Sequence, residues 1–262
     1  MNRKPLVAAG HQSVESSMGV TRALIMAGGK SERMRAGTGG PHKALARVRG
    51  LTLLEWNARQ LVRHGFRDIV VAVSSKEREV SDFVRASVAP AAARAGAKVA
   101  VYEEHTPLGN VGAAREIVGS ADGVLMFYVD NLASIDPQRL VDFHDRGRFA
   151  ATIATHVEPV QIPFGRLWLT ENQVTTYAEK PALHVQVSSG TCVLSKKACA
   201  LIPEGKATGI SDLFAILAER GEAVGAFRHG ERWIDINDPA ALEKARVLFE
   251  GDYGAASDYG VP

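Results

Sequence analysis

Ala23-Leu24-Ile25-Met26-Ala27-Gly28-Gly29-Lys30-Ser31-Glu32-Arg33-Met34 runs an apolar strand straight into a Gly-Gly turn that carries cations, and Lys43 follows Arg33 by ten positions. A turn of this kind presents backbone N–H groups, and glycine lets a polyphosphate approach them with no Cβ in the way. Arg33 could meet phosphate oxygens as a planar fork and Lys43 as a point charge. The same residues also fit an ordinary strand-to-helix turn with two solvated cations, so their context decides.

That context is an alternation of short apolar strands and helical stretches. Strands are expected at Ala23–Ala27, Ile69–Ser74, Lys98–Tyr102 and Val124–Val129, mostly β-branched or continuously apolar. Helices are expected at Leu53–His64, Glu77–Ala93 and Val111–Val118, the first opened by a Thr52/Glu55 capping box. The repeated strand–helix–strand order predicts a parallel sheet covered on both faces. Ligands of such sheets sit at the carboxyl ends of the strands, where Gly28, Gly29 and Asp130 emerge. After residue 150 the pattern changes. Ala151–His156, Gly165–Thr170, Gln173–Tyr177 and Val185–Leu194 read as strands with short polar connections, an antiparallel flap beside the parallel sheet. Helical signal returns at Asp212–Arg220 and Pro239–Phe249, with Asp238 as N-cap. The Ala-rich stretch 86–97 reads as helix with a proline interruption.

With 262 residues, 46% hydrophobic and 23% charged, the chain suits one large α/β domain. A formal net charge of +2 gives no argument for a nucleic-acid or membrane partner. The two cysteines, Cys192 and Cys199, have no metal-ligand spacing and fit a reducing cytoplasm. No apolar run reaches transmembrane length, and the first residues lack the apolar core of a signal peptide. Residues 1–20 read as a disordered extension, with Met18 as an alternative start, and 251–262 as a flexible tail. Between them, at 21–250, lies one domain that reads as two halves, about 21–135 and about 136–250.

Taken in order, these features resemble the sugar-1-phosphate nucleotidyltransferase family, whose signature reads roughly G-G-x-G-T-R-L followed by P-K. Gly28-Gly29-Lys30-Ser31-Glu32-Arg33-Met34 matches the first part, and Lys43 takes the place of the family lysine. Ser31 and Glu32 depart from the pattern, and His42 separates Pro41 from Lys43. Pro107-Leu108-Gly109-Asn110-Val111-Gly112 resembles L-G-T-A-G, and Phe127-Tyr128-Val129-Asp130-Asn131 stands where a strand ends in G-D. Phe164-Gly165, Glu179-Lys180-Pro181 and Val187-Ser188-Ser189-Gly190 stand for Y-G, E-K-P and V-N-A-G, with Ser188 in place of asparagine. Trp233-Ile234-Asp235-Ile236-Asn237-Asp238-Pro239 resembles W-x-D-I-G-T-P. Each motif alone has a structural alternative: a helix-entry turn, an Asp capping a turn, a solvated Glu-Lys pair.

The resemblance implies a Rossmann-like three-layer α/β fold with a mostly parallel mixed sheet and a β-rich sugar-binding excursion. It implies conversion of a nucleoside triphosphate and a sugar 1-phosphate into a nucleotide sugar and pyrophosphate, with a nucleotide-binding half about 21–135 and a sugar-binding half about 136–250. Arg33 and Lys43 would be catalytic, and Leu24, Ala27, Gly28, Gly29, Gly109, Gly112 and Asp130 would bind nucleotide. Gly165, Glu179, Lys180, Ser188 and Gly190 would bind the sugar phosphate, and Asp130 with Asp235 would hold Mg²⁺. No general base is needed, because a phosphate monoester is already ionised at neutral pH. No Ser-His-Asp or Cys-His arrangement is visible, and His42, His105, His156, His184 and His229 read as surface or packing residues. Pro107-Leu108-Gly109 after Glu103-Glu104 most resembles guanylyltransferases, which favours GTP, while Asp130-Asn131 resembles thymidylyltransferases and keeps dTTP open. Two rival readings stand beside this one. One is a cytidylyl- or guanylyltransferase acting on a non-sugar phosphate such as a cofactor precursor, a phosphorylated alcohol or a cyclitol phosphate. The other is a catalytically silent regulatory homologue. The chain reads as a stand-alone catalytic domain, its oligomeric state open with a homodimer among the options.

Overall fold

The computed structural model describes residues 19–29 and 42–251. Residues 1–18 of the expected leader, 252–262 of the tail and the loop carrying Arg33 therefore lie outside the described residues.

Among the described residues thirteen strands appear in chain order: β1 (Arg22–Met26), β2 (Arg47–Val48), β3 (Leu51–Thr52), β4 (Asp68–Ser74), β5 (Lys98–Glu104), β6 (Gly123–Tyr128), β7 (Asn131–Ala133), β8 (Ala151–Gln161), β9 (Arg166–Thr170), β10 (Gln173–Ala178), β11 (Ala182–Ser195), β12 (Val224–Arg228) and β13 (Trp233–Asp235). The helices are α1 (Leu53–Arg63), α2 (Arg78–Phe83), α3 (Ala89–Arg94), α4 (Gly112–Ile117), α5 (Pro137–Gly147), α6 (Lys196–Leu201), α7 (Ile210–Glu219) and α8 (Pro239–Leu248).

A seven-stranded sheet in the order β12-β8-β11-β6-β1-β4-β5 divides the molecule. The first half of the chain supplies its parallel part, β6-β1-β4-β5. Only β11 runs against its neighbours, and β12 again lies parallel to β8. The continuous apolar strands are explained by burial on both faces. Ala23 and Ile25 of β1 join one core cluster with Leu54 and Leu61 of α1, while Leu24 and Met26 join another with Ala114 of α4 and Leu213 of α7. The flap differs from expectation in one respect. The inner parts of β8 and β11 are central strands of the main sheet, and only β9 and β10 form a separate hairpin.

Local signals act as expected at several ends. Thr52 and Glu55 form the reciprocal capping box, with Thr52 N donating to Glu55 at 2.8 Å and Glu55 N to Thr52 Oγ1 at 3.1 Å. Asp238 caps α8 through Ala241 N at 2.7 Å. The proline interruption resolves into a π-helical turn, Val84–Val88, that lets the chain continue into α3 with Pro90 in its first turn.

One buried titratable group couples the fold to pH. His144 of α5 is almost fully buried, its Nδ1 2.9 Å from Thr152 Oγ1 of β8. Burial pushes its imidazole down to about 4. The unfolded chain takes up this proton near pH 6.5 and the folded chain does not, so the contribution is fully present above pH 6.5 and shrinks as pH falls. At pH 5 the loss is about 2 kcal/mol. Denaturant unfolding of the protein and of His144→Asn at pH 7 and pH 5 should show the smaller acid loss in the variant; equal losses would contradict this account.

Candidate active site

β1, β5 and β6 end at a cavity of ≈ 960 Å³, lined by Gly28, Gly29, Lys43, Gly109, Asp130 and Asp235 among others. Parallel strands carry their side chains and following turns to one edge, which is why residues far apart in sequence meet there. The glycines differ in what they owe to the fold. Gly109 has φ +77°, and a Cβ there would sit 2.3 Å from Thr208 O, so the fold itself demands glycine. Gly28 and Gly29 have no left-handed φ. A Cβ on Gly28 would lie 3.5 Å from Glu104 Oε2 and one on Gly29 3.6 Å from Lys43, both ordinary contacts. Among the described residues, packing does not call for glycine at either position; what a Cβ would take from them there is open cavity.

Lys43 begins a short 3₁₀ turn, and the histidine before it sets its position. The buried His42 ring accepts from Ala44 N through Nδ1 at 3.1 Å. Its Nε2 must then carry the proton, and it donates to Gly29 O at 2.5 Å. His42 N also donates to Glu79 Oε1 at 3.2 Å. The residue that departs from the family spacing is thus a pin between the Gly-Gly turn and the lysine. The Lys43 ammonium reaches across the cavity floor and donates to Asp130 Oδ2.

Asp130 and Asp235 meet through main-chain pairing. β7 and β13 form an antiparallel ladder in which Asp235 pairs with Asn131, and Ile236 N donates to Asp130 O at 2.8 Å. The turn carrying Asp130 is anchored from both sides, Val129 N donating to Met26 O at 3.0 Å and Asn57 Nδ2 of α1 to Val129 O at 3.1 Å. Amides flank both carboxylates: Asn131 Nδ2 lies 3.1 Å from Asp130 Oδ1, and Asn237 Nδ2 donates to Asp235 Oδ2. Among the described residues no set of three or more His, Cys, Asp or Glu gathers around one point. Two carboxylates lining one cavity, with no histidine or cysteine gathered beside them among the described residues, suit a hard cation that completes its shell with water and phosphate oxygens.

The loop 107–111 faces the glycine turn. It is fixed to the start of α7 and the segment before it by Thr208 N donating to Leu108 O at 2.9 Å and by Ile210 N donating to Asn110 Oδ1 at 2.8 Å. Beneath it Glu104, at the end of β5, lines the cavity with Oε1 buried and lacking a hydrogen-bond partner. Burial raises its carboxyl above the usual range, opposed by the Leu108 N–H. The cavity also takes in the hydroxyl-bearing ring of Tyr128, its Oη likewise buried and without a partner.

The other expected site residues lie elsewhere. Leu24 and Ala27 are buried in the two core clusters, and Gly112 packs at the start of α4 against Leu108. Gly165, Glu179 and Lys180 are on the β9–β10 hairpin and its connections, outside the cavity lining. There Tyr177 Oη donates to Glu179 Oε2, and Lys180 adopts φ +41°. Ser188 and Gly190 are on β11, where Gly190 has φ +67° and a Cβ would meet Asn131 Cγ at 2.6 Å, so this segment backs directly onto the cavity wall. Ionic nucleophiles are ruled out at the cysteines, since burial pushes both Cys192 and Cys199 up to about 12.

Sequence reading misses three things here. The pin His42 has no local signature, because its partners come from another loop. Glu104 was legible only as part of an acidic pair. The third is a Ser-His-carboxylate constellation: Ser189 Oγ lies 2.6 Å from His229 Nε2, and His229 Nδ1 lies 3.3 Å from Glu231 Oε2. Ser189 is completely buried and its hydroxyl also meets His156, so it cannot reach a substrate as a nucleophile. His156 and His229 are packing residues, as expected, but linked ones.

Among described residues, no helix is long and apolar enough to cross a membrane. The chain is 25% identical over 236 residues to a UTP–glucose-1-phosphate uridylyltransferase of Synechocystis, covering 82% of this chain and 60% of that one. It is 25% identical over 228 residues to a mannose-1-phosphate guanylyltransferase catalytic subunit beta of Danio rerio, covering 83% and 61%. This chain thus spans about three fifths of the length of these two curated relatives. The crystal structure of HddC from Yersinia pseudotuberculosis shares its fold, with a TM-score of 0.66 at 21% identity over 88% of this chain and all of that one. Residues 23–184 match the model of the MobA-like NTP transferase domain, and with that match over the strands and turns that build the cavity, the chain belongs to this family.

Proposed function

We propose that the protein transfers a nucleotidyl group from a nucleoside triphosphate to a sugar 1-phosphate, releasing pyrophosphate, and that it does so as one domain with a nucleotide half and an acceptor half. The observation that carries this reading is the pair Gly28-Gly29, glycines that neither backbone strain nor, among the described residues, packing requires and that border open cavity beside a fixed cation. A polyphosphate lying on that turn explains the missing Cβ atoms. Arg33 and Lys43 would neutralise the triphosphate and the departing pyrophosphate.

Attack of one anion on another needs charge neutralised and the reacting groups held in line. Asp130 and Asp235 would hold Mg²⁺, which when bound acts as Lewis acid and template for phosphate oxygens. Lys43, now on Asp130, would turn toward the phosphates as that carboxylate takes the cation. Ser188 and Gly190 would form the acceptor wall with Glu179, Lys180 and Gly165 on the hairpin. GTP is the proposed donor. An ionised carboxylate only accepts hydrogen bonds, and guanine presents two neighbouring donors, N1–H and the 2-amino group. Glu104, whose carboxyl lines the cavity at the end of β5, matches that pattern.

A pyrophosphate-release screen of five nucleoside triphosphates against a panel of sugar 1-phosphates tests the reading. Turnover is expected to be fastest with GTP, and Glu104→Gln should erode that preference. Pyrophosphate release with a cyclitol or alcohol phosphate but no sugar phosphate would overturn the acceptor assignment, and silence toward every pair would overturn the activity.

Single substitutions separate the two halves. Lys43→Ala should lower kcat and weaken use of the triphosphate, whereas Lys180→Ala should raise KM for the sugar phosphate. Each effect should be about ten- to a hundredfold, the usual worth of a charge-assisted phosphate contact. Initial rates with each substrate varied in turn check this, and a Lys180→Ala effect confined to the triphosphate would show the division to be wrong.

A further inference from the structure

Ser189 is the buried centre of a hydrogen-bonded chain that joins four strands behind the cavity wall. It is placed there by an irregularity in β11. Ser188 pairs with Thr155 and Cys192 with Ile153, so residues 189–191 together oppose Ala154 alone. The bulge bends the strand, turns Ser189 inward and leaves Gly190 in its left-handed conformation against Asn131. His156 of β8 approaches Ser189 Oγ with Nδ1 at 2.8 Å, and His229, just after β12, approaches the same oxygen with Nε2 at 2.6 Å. From β13, Trp233 Nε1 donates to Ser189 O at 2.8 Å, and its indole lies 4.3 Å from the His156 ring. Trp233 is two residues from Asp235, and Ser189 lies between Ser188 and Gly190. The chain therefore ties the acceptor wall to the strand that carries the second aspartate.

Counting protons shows how this buried chain is satisfied. His156 Nε2 lies 3.2 Å from Glu158 Oε2 and donates to it, which leaves Nδ1 to accept the Ser189 hydroxyl proton. Ser189 Oγ then accepts from His229 Nε2. Three protons make three hydrogen bonds, and His229 Nδ1 is left as a lone pair. That agrees with the structure, where His229 Nδ1 is buried without a hydrogen-bond partner although Glu231 Oε2 is 3.3 Å away. Glu231 is held instead by Gly230 N at 3.0 Å and by Arg139 at 3.3 Å. The charged groups around the chain are Glu158 on β8 and Glu231, with Arg139 of α5 behind it.

Ordinary packing does not explain this arrangement. A buried hydroxyl shared between two imidazoles costs desolvation that an apolar residue would avoid, and a partly satisfied polar chain is tolerated where it fixes one geometry. We propose that Ser189, His156 and His229 are positioning residues, a strut that holds the Ser188–Gly190 wall and the Trp233–Asp235 strand in register with the cavity. The consequence for acceptor binding rests on the function proposed above; the strut itself does not.

Two measurements on the full chain keep those claims apart. Amide hydrogen exchange of Ser189→Ala should be faster at 187–192 and 233–236 and unchanged at β1 and the glycine turn. With GTP and glucose 1-phosphate as probes, the same variant should raise KM for the sugar phosphate about tenfold, the worth of a buried hydrogen bond or two, and leave KM for GTP within about twofold. His229→Ala should reproduce the defect. His229→Gln, whose amide can occupy the Nε2 position, should relieve it, and this pair decides the matter if Ser189→Ala fails to fold. Unchanged exchange, a KM effect on GTP alone, or equal behaviour of His229→Ala and His229→Gln would overturn the strut. Faster exchange in a protein that turns over no sugar phosphate would support the strut and overturn the acceptor reading instead.

Discussion

Asp130 and Asp235 are brought to one cavity at the carboxyl edge of the parallel strands, and much of the structure around them follows from that constraint. Carboxylates partly withdrawn from water need polar partners. The fold supplies compensation in three forms: the Lys43 ammonium on Asp130, the Asn131 and Asn237 amides, and a short main-chain ladder that fixes the spacing whatever the side chains prefer. Lys43 can serve only if its turn is fixed, and His42 fixes it by bonding Gly29 O and Ala44 N together. The glycine turn, the lysine and the first aspartate thus form one mechanical unit.

The same constraint accounts for polar residues on otherwise apolar faces. Asn57 and Gln60 stand on the buried side of α1, where leucine would pack better. Asn57 holds Val129 O at 3.1 Å and Gln60 holds Ile135 O at 2.6 Å, so the helix grips the chain on either side of β7. A buried carbonyl that leaves a strand must find a partner. These two amides provide it, and they carry the sequence out of β6 and into the site without strain.

The parallel half of the fold was legible because strands buried on both faces read as unbroken apolar runs, and because Thr52/Glu55 and Asp238 mark helix starts with side-chain hydrogen bonds. The three-residue strands β7 and β13 were not, since so short a ladder has no periodicity to show. Helix α5 was missed although Asp136 caps it, with its carboxylate 2.9 Å from Gln138 N, and Pro137 opens it. Of the candidate site, the residues that border cavity, Gly28, Gly29, Lys43, Gly109, Asp130 and Asp235, stood in recognisable motifs. Leu24 and Ala27 sit in the same motif but point into the cores, because alternate residues of a strand between two layers have nowhere else to go. The Ser189 chain was invisible, since its members come from β8, β11, β13 and the turn after β12 and meet only through the bulge in β11.

The central claim is that Asp130 and Asp235 together form a cation site that a triphosphate completes. Electron paramagnetic resonance titration of Mn²⁺ against the protein and its Asp235→Asn variant, each with saturating GTP, measures this directly. The account predicts tight, GTP-dependent binding in the protein and a loss of about tenfold or more in the variant at unchanged fold, because one ligand charge is gone. Equal Mn²⁺ affinity in the two proteins would contradict it.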